Sequence, residues 1–253
     1  MEFALVNGQR QEAQRNLSGE CQLCGERTIA KCGDERIHHW AHKSNRRCDQ
    51  WWENETEWHR NWKNQFPREW REVPQHAADG EKHIADVKTG NGFVLEFQHS
   101  YLPPEERGLR DAFYPKLVWV VDGTGKRHKA QLIRAWNEGR PVGGNPLVRT
   151  AFSCDFGVLQ KWAGSNAPVF FDLGETEQLL WLVRMGIKGF AYLHRLSREQ
   201  FIEWHRSAVP HPLDEFVHLI LPKLVAEYES SLQAQLSGWD PLRPRGFRRS
   251  VRL

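Results

Sequence analysis

Cysteines and histidines near the N-terminus have the spacing of a metal site. Cys21 and Cys24 are separated by two residues, and His39, His42 and Cys48 follow. Zinc takes four thiolate or imidazole ligands in a tetrahedron, and two cysteines at this spacing supply two of them from one tight turn. The second pair is His39 with His42, or His42 with Cys48, and spacing alone does not decide between these pairs. We favour His42 and Cys48, because a third thiolate suits zinc better than a second imidazole.

A second set of polar side chains lies on a predicted β-hairpin around Gly90-Asn91-Gly92. These residues are typical of a tight loop whose last glycine is left-handed, and such a loop sets Thr89 opposite Phe93. Asp86 and Glu96 then face each other on one side of the sheet, because side chains alternate along a strand. At about 5 Å two carboxylates repel each other at neutral pH, and a divalent cation removes that repulsion. The same side of the hairpin also carries Ile84, Lys88, Val94 and Gln98.

The elements predicted around this hairpin follow the order helix, three strands, helix, strand. Trp58, Trp62 and Phe66 recur at every fourth residue, which predicts a helix over about 54–66. Another face of this helix carries Glu55, His59 and Lys63. The strands are predicted at 69–73, 82–88 and 93–98, the second helix at 104–114, and a buried strand at 116–121.

Gly143-Gly144-Asn145-Pro146 is the best candidate for a linker. The segments before and after it divide the chain into an N-terminal zinc module (1–50), a central core (51–142) and a C-terminal α+β lobe (147–253). The fold class is therefore mixed, α+β and α/β. In the last lobe we expect strands at 168–173, 178–184 and 189–196, helices at 197–207 and 211–237, and an arginine-rich tail after Asp240. This lobe would position DNA or a protein partner, and the tail would contact phosphates.

Composition limits the class of protein without naming its function. The 35 Lys and Arg residues exceed the 32 Asp and Glu residues by three, too few to predict nucleic-acid binding from charge alone. No apolar run approaches the roughly 18 residues that a membrane helix needs, and the first residues lack a secretory pattern. Five cysteines, an odd number, favour a reducing compartment over a disulfide framework. We therefore expect a cytoplasmic protein with no membrane partner.

Several motifs in order resemble a known family. Asp86 and, ten residues on, Glu96-Phe97-Gln98 lie inside the helix, three-strand, helix, strand order, and this resembles the core of PD-(D/E)XK nucleases. The longer series resembles the competence protein CoiA-like family over about residues 20–122. It runs through Cys21-x-x-Cys24, His39-Trp-Ala-His42, Glu55 to Lys63, His83 to Val87, Glu96 to Ser100, Arg110, Tyr114 and Val118-Trp-Val120.

The resemblance implies cleavage of DNA phosphodiester bonds with Mg²⁺ or Mn²⁺. Asp86 and Glu96 would hold the ion together with the backbone carbonyl of Phe97, and Glu55 matches the acid that this superfamily places beside the metal. Gln98 stands where most members have lysine. Glutamine cannot supply a positive charge to the transition state, so Lys63 or Lys88 would supply it, or cleavage would be slow.

Two other functions compete with the nuclease. The first is a DNA-binding accessory protein whose nuclease core has lost activity, and Gln98 in place of lysine is the residue that favours it. The second is a zinc-containing protein-interaction module, and the small net charge is its main support. His83 and His99 are candidate phosphate contacts or proton carriers, and equally candidates for structural residues at strand ends.

Overall fold

A computed structural model describes residues 1–44, 48–142, 145–185, 189–207 and 216–237. Three features from the sequence lie outside these residues. They are the two glycines of the predicted linker, residues 211–215 of the predicted last helix, and the arginine-rich tail. Within the described residues no helix combines the length and apolar character needed to cross a membrane.

The N-terminal residues form a small antiparallel sheet. Its strands are β1 (Phe3–Val6), β2 (Gln9–Glu12), β3 (Ser18–Glu20), β4 (Arg27–Lys31) and β5 (His39–His42). Their order across the sheet is β2-β1-β3-β4-β5. The hairpin of β4 and β5 returns the chain from the cysteine pair to the histidines. Met1, Ala4, Leu23 and Trp40 form a small core under this sheet.

The remaining strands build one large mixed sheet. They are β6 (Arg71–His76), β7 (Lys82–Lys88), β8 (Val94–Gln98), β9 (Leu117–Asp122), β10 (Arg140–Val142), β11 (Asn145–Phe152), β12 (Val169–Asp172), β13 (Gln178–Met185) and β14 (Phe190–Ser197). Their order is β10-β11-β14-β13-β12-β9-β8-β7-β6. The pairs β8–β9 and β9–β12 are parallel, and the other pairs are antiparallel.

Helices cover both faces of the large sheet. They are α1 (Glu57–Lys63), α2 (Pro104–Phe113), α3 (Lys126–Glu138), α4 (Gly157–Trp162), α5 (Arg198–Arg206) and α6 (Leu221–Ser237), with short 3-10 turns at Arg68–Trp70, Ser153–Asp155 and Gly174–Thr176 and a π-helical turn at Phe216–Ile220. On one face Trp62 of α1 stacks on Phe97, and Phe201 of α5 packs edge-on against Trp62. On the other face Leu132 of α3 belongs to the same buried cluster as Trp119.

The order α1, β6, β7, β8, α2, β9 is the one predicted for the central core. The strands of the predicted C-terminal lobe join the same sheet, because Val169 of β12 pairs in parallel with Trp119 of β9. The described strands of this segment, β11 to β14, therefore extend the core sheet and do not form a separate one. The three residue ranges given for the modules stay a prediction.

Two helices, α3 and α4, were not predicted. No element is predicted between 122 and 142, yet α3 occupies most of that segment. Its buried residues Leu132, Ala135 and Trp136 have helical spacing, but its first turn is a run of basic residues without an N-cap side chain. The apolar stripe is only three residues long, so packing against the sheet stabilises this helix more than its local sequence does.

The predicted hairpin register is confirmed. Val87 pairs with Leu95 and Lys88 with Val94, and the Thr89 N–H donates to the Phe93 carbonyl. Gly92 has a φ of 79°, the left-handed conformation that a residue with a side chain seldom adopts. Extending this pairing by one residue sets Asp86 opposite Glu96. The local turn chemistry alone therefore places the two carboxylates side by side.

Candidate functional site

Three cysteines and one histidine converge at the N-terminal sheet. The sulfur atoms of Cys21, Cys24 and Cys48 and a ring nitrogen of His42 all lie within 4.8 Å of one another. Cys21 Sγ is 3.7 Å from Cys48 Sγ, and Cys24 Sγ is 3.3 Å from His42 Nε2. Zn–S bonds of about 2.3 Å and Zn–N bonds of about 2.0 Å give tetrahedral ligand separations of about 3.3–3.8 Å. This Cys3His group therefore has the geometry to hold a structural zinc ion.

The structure decides which histidine belongs to the group. His39 is three residues before His42 in β5, and its Nδ1 lies 2.9 Å from the Ile37 carbonyl oxygen. The Cys21 and Cys48 sulfur atoms lie within hydrogen-bond distance, and this contact lowers the pKa of Cys21 to about 4 and raises the pKa of Cys48. Two sulfurs that share one proton match a site where a cation takes the place of protons. The favoured set, Cys21, Cys24, His42 and Cys48, is the one that the structure assembles.

A separate pocket lies where α1, α2 and the hairpin β7–β8 meet. Its volume is about 70 Å³, room for an ion and a few waters. Four residues to which the sequence assigns a catalytic role line it, Glu55, Asp86, Glu96 and Gln98, whereas His83, Lys88 and His99 do not. Six acidic residues line the pocket in total, against two basic ones, Lys63 and Arg110. An excess of carboxylates in a small pocket attracts a cation.

Asp86 and Glu96 lie in the floor of this pocket. The Asp86 N–H donates to Glu96 Oε1 at 3.3 Å, and the Phe97 N–H donates to Asp86 Oδ2 at 2.9 Å. Burial raises the pKa of Asp86, and burial together with the Asp86 charge raises the pKa of Glu96 well above its ordinary value. Arg110 opposes this only in part, with its Nη1 3.3 Å from Glu96 Oε2. The pair therefore needs either a proton or a bound cation.

A further observation fits a hydrated divalent cation here. Tyr114, which is buried and lines the pocket beside Glu96, has a hydroxyl group with no hydrogen-bond partner among the described residues. A buried hydroxyl group seldom lacks a partner, and a water in the pocket would supply one. Carboxylate oxygens are the ligands that Mg²⁺ and Mn²⁺ prefer. Within the described residues, however, no third carboxylate, imidazole or thiol group completes a side-chain cluster with Asp86 and Glu96.

Glu55 is not on the helix from which it was expected to project. Helix α1 begins at Glu57 because the Thr56 side chain accepts a hydrogen bond from the His59 N–H and caps the helix. Glu55 precedes this cap, and its carboxylate binds Lys63 and Arg60, each at 2.6 Å. It therefore lines the pocket as the partner of two cations and does not turn toward Asp86 and Glu96 as a third member of their pair.

Lys63 occupies the centre of a buried acidic group. Its Nζ is 2.6 Å from Glu55, 3.0 Å from Glu72 and 3.8 Å from Glu2. Burial favours the neutral amine, but Glu72 and Glu55 outweigh burial and raise the pKa of Lys63. The three carboxylates lie close enough to hold a metal, yet the ammonium group already takes that place. Lys88, the other lysine considered from the sequence, instead donates to Gln75.

The Glu72 carboxylate connects the two sheets. It accepts the N–H groups of Glu2 at 2.7 Å and Phe3 at 3.2 Å, and it also accepts from Lys63. Burial alone would raise its pKa, but Lys63 outweighs burial and lowers the pKa of Glu72 to about 2. Strand β1 of the N-terminal sheet is thereby held against the wall of the pocket. The sheet that carries the Cys3His group and the acidic pocket are parts of one packed unit.

Replacing Lys63 by Met should destabilise the fold by about 3–5 kcal/mol, because buried carboxylates lose their cation. The free energy of unfolding in urea measures this. Because the folded pKa of Glu72 is lowered, its contribution is present above its ordinary pKa and is lost as the pH falls toward about 2. The difference in unfolding free energy between the wild type and Lys63→Met should therefore become smaller over this acid range. Glu72→Gln added to Lys63→Met should restore part of the loss, and equal stability of Lys63→Met and the wild type would contradict the assignment.

Gln98 is buried and held as a hydrogen-bond donor. Its Nε2 donates to Glu53 Oε1 at 2.5 Å and to the Ser100 carbonyl at 3.2 Å. Glu53 also accepts from the Ser100 hydroxyl and lines the pocket. The sequence analysis did not single out Glu53, although it lies two residues before Glu55 in the same acidic stretch. A carboxylate facing Gln98 is compatible with a lysine at this position.

The His83 ring is fixed by contacts with neighbouring side chains. Its ring stacks on Trp51 with centroids 3.2 Å apart, and its Nδ1 and Nε2 contact Asp49 and Glu81 at 2.8 and 3.0 Å. Both ring nitrogens are thus occupied away from the acidic pair. His99 has a different position, with Nδ1 2.6 Å from Asp122 and 46% of its side chain exposed.

Comparison with known proteins identifies the N-terminal part. Residues 7–50 match the family model described as competence protein CoiA, N-terminal domain. No curated protein and no solved structure matches the chain. The matched residues include all four members of the Cys3His group, whereas Asp86 and Glu96 lie beyond them. The match at residues 7–50 therefore supports a CoiA-like family for this chain, through its N-terminal domain.

Proposed function

We propose that this protein is a divalent-metal-dependent nuclease that hydrolyses DNA phosphodiester bonds. The carrying observation is the pairing of Asp86 and Glu96, two carboxylates with raised pKa values, in a small acidic pocket. The family name of the matched N-terminal domain, competence protein CoiA, suggests a competence-related role, and we place the activity in DNA uptake and processing. Anti-phage defence is a second setting for the same chemistry.

Bound Mg²⁺ or Mn²⁺ would polarise the scissile phosphate and lower the pKa of the attacking water. Asp86 and Glu96 would hold the ion, with the Phe97 carbonyl as a third oxygen. Arg110 orients Glu96, and the Tyr114 hydroxyl group would hydrogen-bond to a water held in the pocket. These residues supply binding and orientation, while the ion supplies the charge.

Two cationic or donor groups of α1 complete the pocket. Burial lowers the pKa of His59, so its ring is neutral at pH 7. Its Nδ1 accepts from the Thr56 N–H, which leaves the proton on Nε2 as a donor for a phosphate oxygen. Lys63 is charged and fixed, and its field reaches Asp86. We assign to Lys63 the positive charge that Gln98 does not supply.

The test is a cleavage assay with plasmid, linear duplex and single-stranded DNA, and with RNA of the same sequence. Each substrate is incubated with Mg²⁺, with Mn²⁺ or without added divalent metal. We expect metal-dependent cleavage of at least one DNA substrate. No cleavage of any substrate with either metal would favour the alternative, a nuclease-inactive DNA-binding protein, for which Gln98 is the supporting residue.

The pH dependence of cleavage should move with metal concentration. Because the pKa values of Asp86 and Glu96 are raised, protons compete with the ion above the ordinary carboxylate range, and activity falls as the pH is lowered. Tenfold more Mg²⁺ should shift this acid limb down by about one pH unit if binding releases one proton, and by about half a unit if it releases two. Rates measured across pH at two Mg²⁺ concentrations test this. An acid limb that does not respond to Mg²⁺ would contradict the assignment of the carboxylates as metal ligands.

Gln98→Lys should leave the fold intact and raise the cleavage rate several-fold. Glu53 accepts a hydrogen bond from Gln98 and would form an ion pair with the new ammonium group. That group would also lie in the same pocket as Asp86 and Glu96. Gln98→Met removes the donor to Glu53 without adding charge and should slow cleavage. Single-turnover rates of the two variants separate these effects. A Lys variant slower than the Met variant would show that position 98 does not serve the family's lysine role.

A further inference from the structure

A basic surface lies at the start of α3, outside the proposed active site. The helix begins with Lys126-Arg127-His128-Lys129, and its first turn contains no acidic residue. Lys126 and Arg127 are exposed, as is Lys161 on α4. Within the part of the chain that the structure describes, none of these four lysine and arginine side chains forms an ion pair. Cations at a helix N-terminus are locally unfavourable, so helix stability does not explain them.

Contacts between side chains connect this surface to the acidic pocket. His59 lines the pocket, and its ring centroid is 6.0 Å from that of the partly exposed His99. His99 contacts Asp122, the last residue of β9. Asp122 Oδ1 also accepts the Thr124 N–H at 2.8 Å, two residues before α3 begins at Lys126. The basic surface is therefore the neighbour of the pocket on the side of His99.

An exposed aromatic ring lies beside Lys161 of the basic surface. Tyr101 follows Gln98 by three residues and is 69% exposed. Lys161 Nζ lies 5.6 Å from the centre of its ring. An exposed aromatic ring beside cations is the combination with which proteins bind unpaired bases and the phosphates between them. A duplex offers its phosphates but not the faces of its bases.

We propose that Lys126, Arg127, Lys129 and Lys161 bind the backbone phosphates of a single-stranded nucleic acid, while Tyr101 stacks on one of its bases. The strand would run from this surface past His99 to the pocket. This inference rests on the proposed nuclease function and adds the strand type and the residues that guide the substrate.

The test is binding of a fluorescent 20-nucleotide single strand and of its duplex to the full chain, without added divalent metal. Lys126→Glu/Arg127→Glu should weaken binding of the single strand about tenfold at low salt. The slope of log affinity against log salt should fall by about 1.4, which is 0.7 for each lost phosphate contact. Acids in the first turn of a helix are favourable, so the double variant should fold at least as well as the wild type.

A matched control separates this surface from the effect of net charge. Lys116 and Arg140 are exposed and lie at the opposite ends of β9 and α3 from Asp122 and Lys126. Lys116→Glu/Arg140→Glu makes the same charge change and should leave affinity nearly unchanged. Tyr101→Ala should weaken single-strand binding by about tenfold and duplex binding little, while Tyr101→Trp should retain it.

The outcomes distinguish this inference from the nuclease proposal. Equal losses in the two charge-reversal variants, or no loss in either, would overturn the inference even if the wild type cleaves DNA. A wild type that binds neither strand form at low salt would also overturn it and would favour an acidic protein as the partner of this surface. Selective loss in Lys126→Glu/Arg127→Glu and Tyr101→Ala, together with no cleavage under any condition, would support the inference and remove the nuclease.

Discussion

Asp86→Asn and Glu96→Gln should each reduce DNA cleavage by about 10³-fold or more, which corresponds to about 4 kcal/mol of transition-state stabilisation. A single remaining carboxylate leaves a well-hydrated divalent cation with too few protein oxygens. The fold should be unaffected or slightly stabilised, because raised pKa values show that burial favours the neutral form of both side chains. DNA binding should be similar or tighter, since one negative charge near the phosphates is lost. Single-turnover cleavage, urea unfolding and DNA binding measure the three properties.

Two control variants make this result specific. Asp34→Asn removes a carboxylate whose side chain is 92% exposed and should leave cleavage unchanged. Glu55→Gln should cost less activity than either change at the acidic pair, because Glu55 holds Arg60 and Lys63. Undiminished cleavage by the Asp86→Asn/Glu96→Gln double variant would place the cleaving site elsewhere on the chain or in a contaminant.

Cys24→Ser should unfold the N-terminal sheet and make the chain sensitive to protease, at a cost of about 5 kcal/mol or more if zinc is lost. Where a small domain forms around zinc, the free energy of ligation is free energy of folding. The core under this sheet contains few large side chains, so little else would hold it. Metal analysis of the wild type should find one zinc per chain. Urea unfolding and limited proteolysis of the variant report its stability.

The effect should reach the acidic pocket as well. Glu2 and Phe3 donate to Glu72, so loss of the N-terminal sheet removes hydrogen bonds from the carboxylate that holds Lys63. Cys154→Ser changes an exposed cysteine outside the cluster and should alter neither stability nor zinc content. Wild-type protein purified without chelator and free of zinc would disprove the site. A Cys24→Ser variant of full stability but without activity would point to a catalytic metal instead.

Local patterns were sufficient for the parts of the site that short loops control. The glycines of 90–92 set the register of β7 and β8 and with it the facing of Asp86 and Glu96. The Cys21 to Cys24 turn, with Gly25 at a φ of 73°, presents two thiols, and the next hairpin returns His42. In each case fewer than about ten residues carry the geometry, so backbone preferences alone constrain it.

By itself, the sequence determined the zinc ligands as a short list, the carboxylate hairpin and the order of the core elements. Only the tertiary structure decided that His39 is outside the cysteine group, that Glu55 precedes its helix, and that Lys63 lies among Glu2, Glu55 and Glu72. It also decided that the C-terminal strands continue the core sheet. These features depend on contacts between residues far apart in the chain. They form because residues of different elements are buried together and pair their charges, and the spacing of residues within one segment does not predict such contacts.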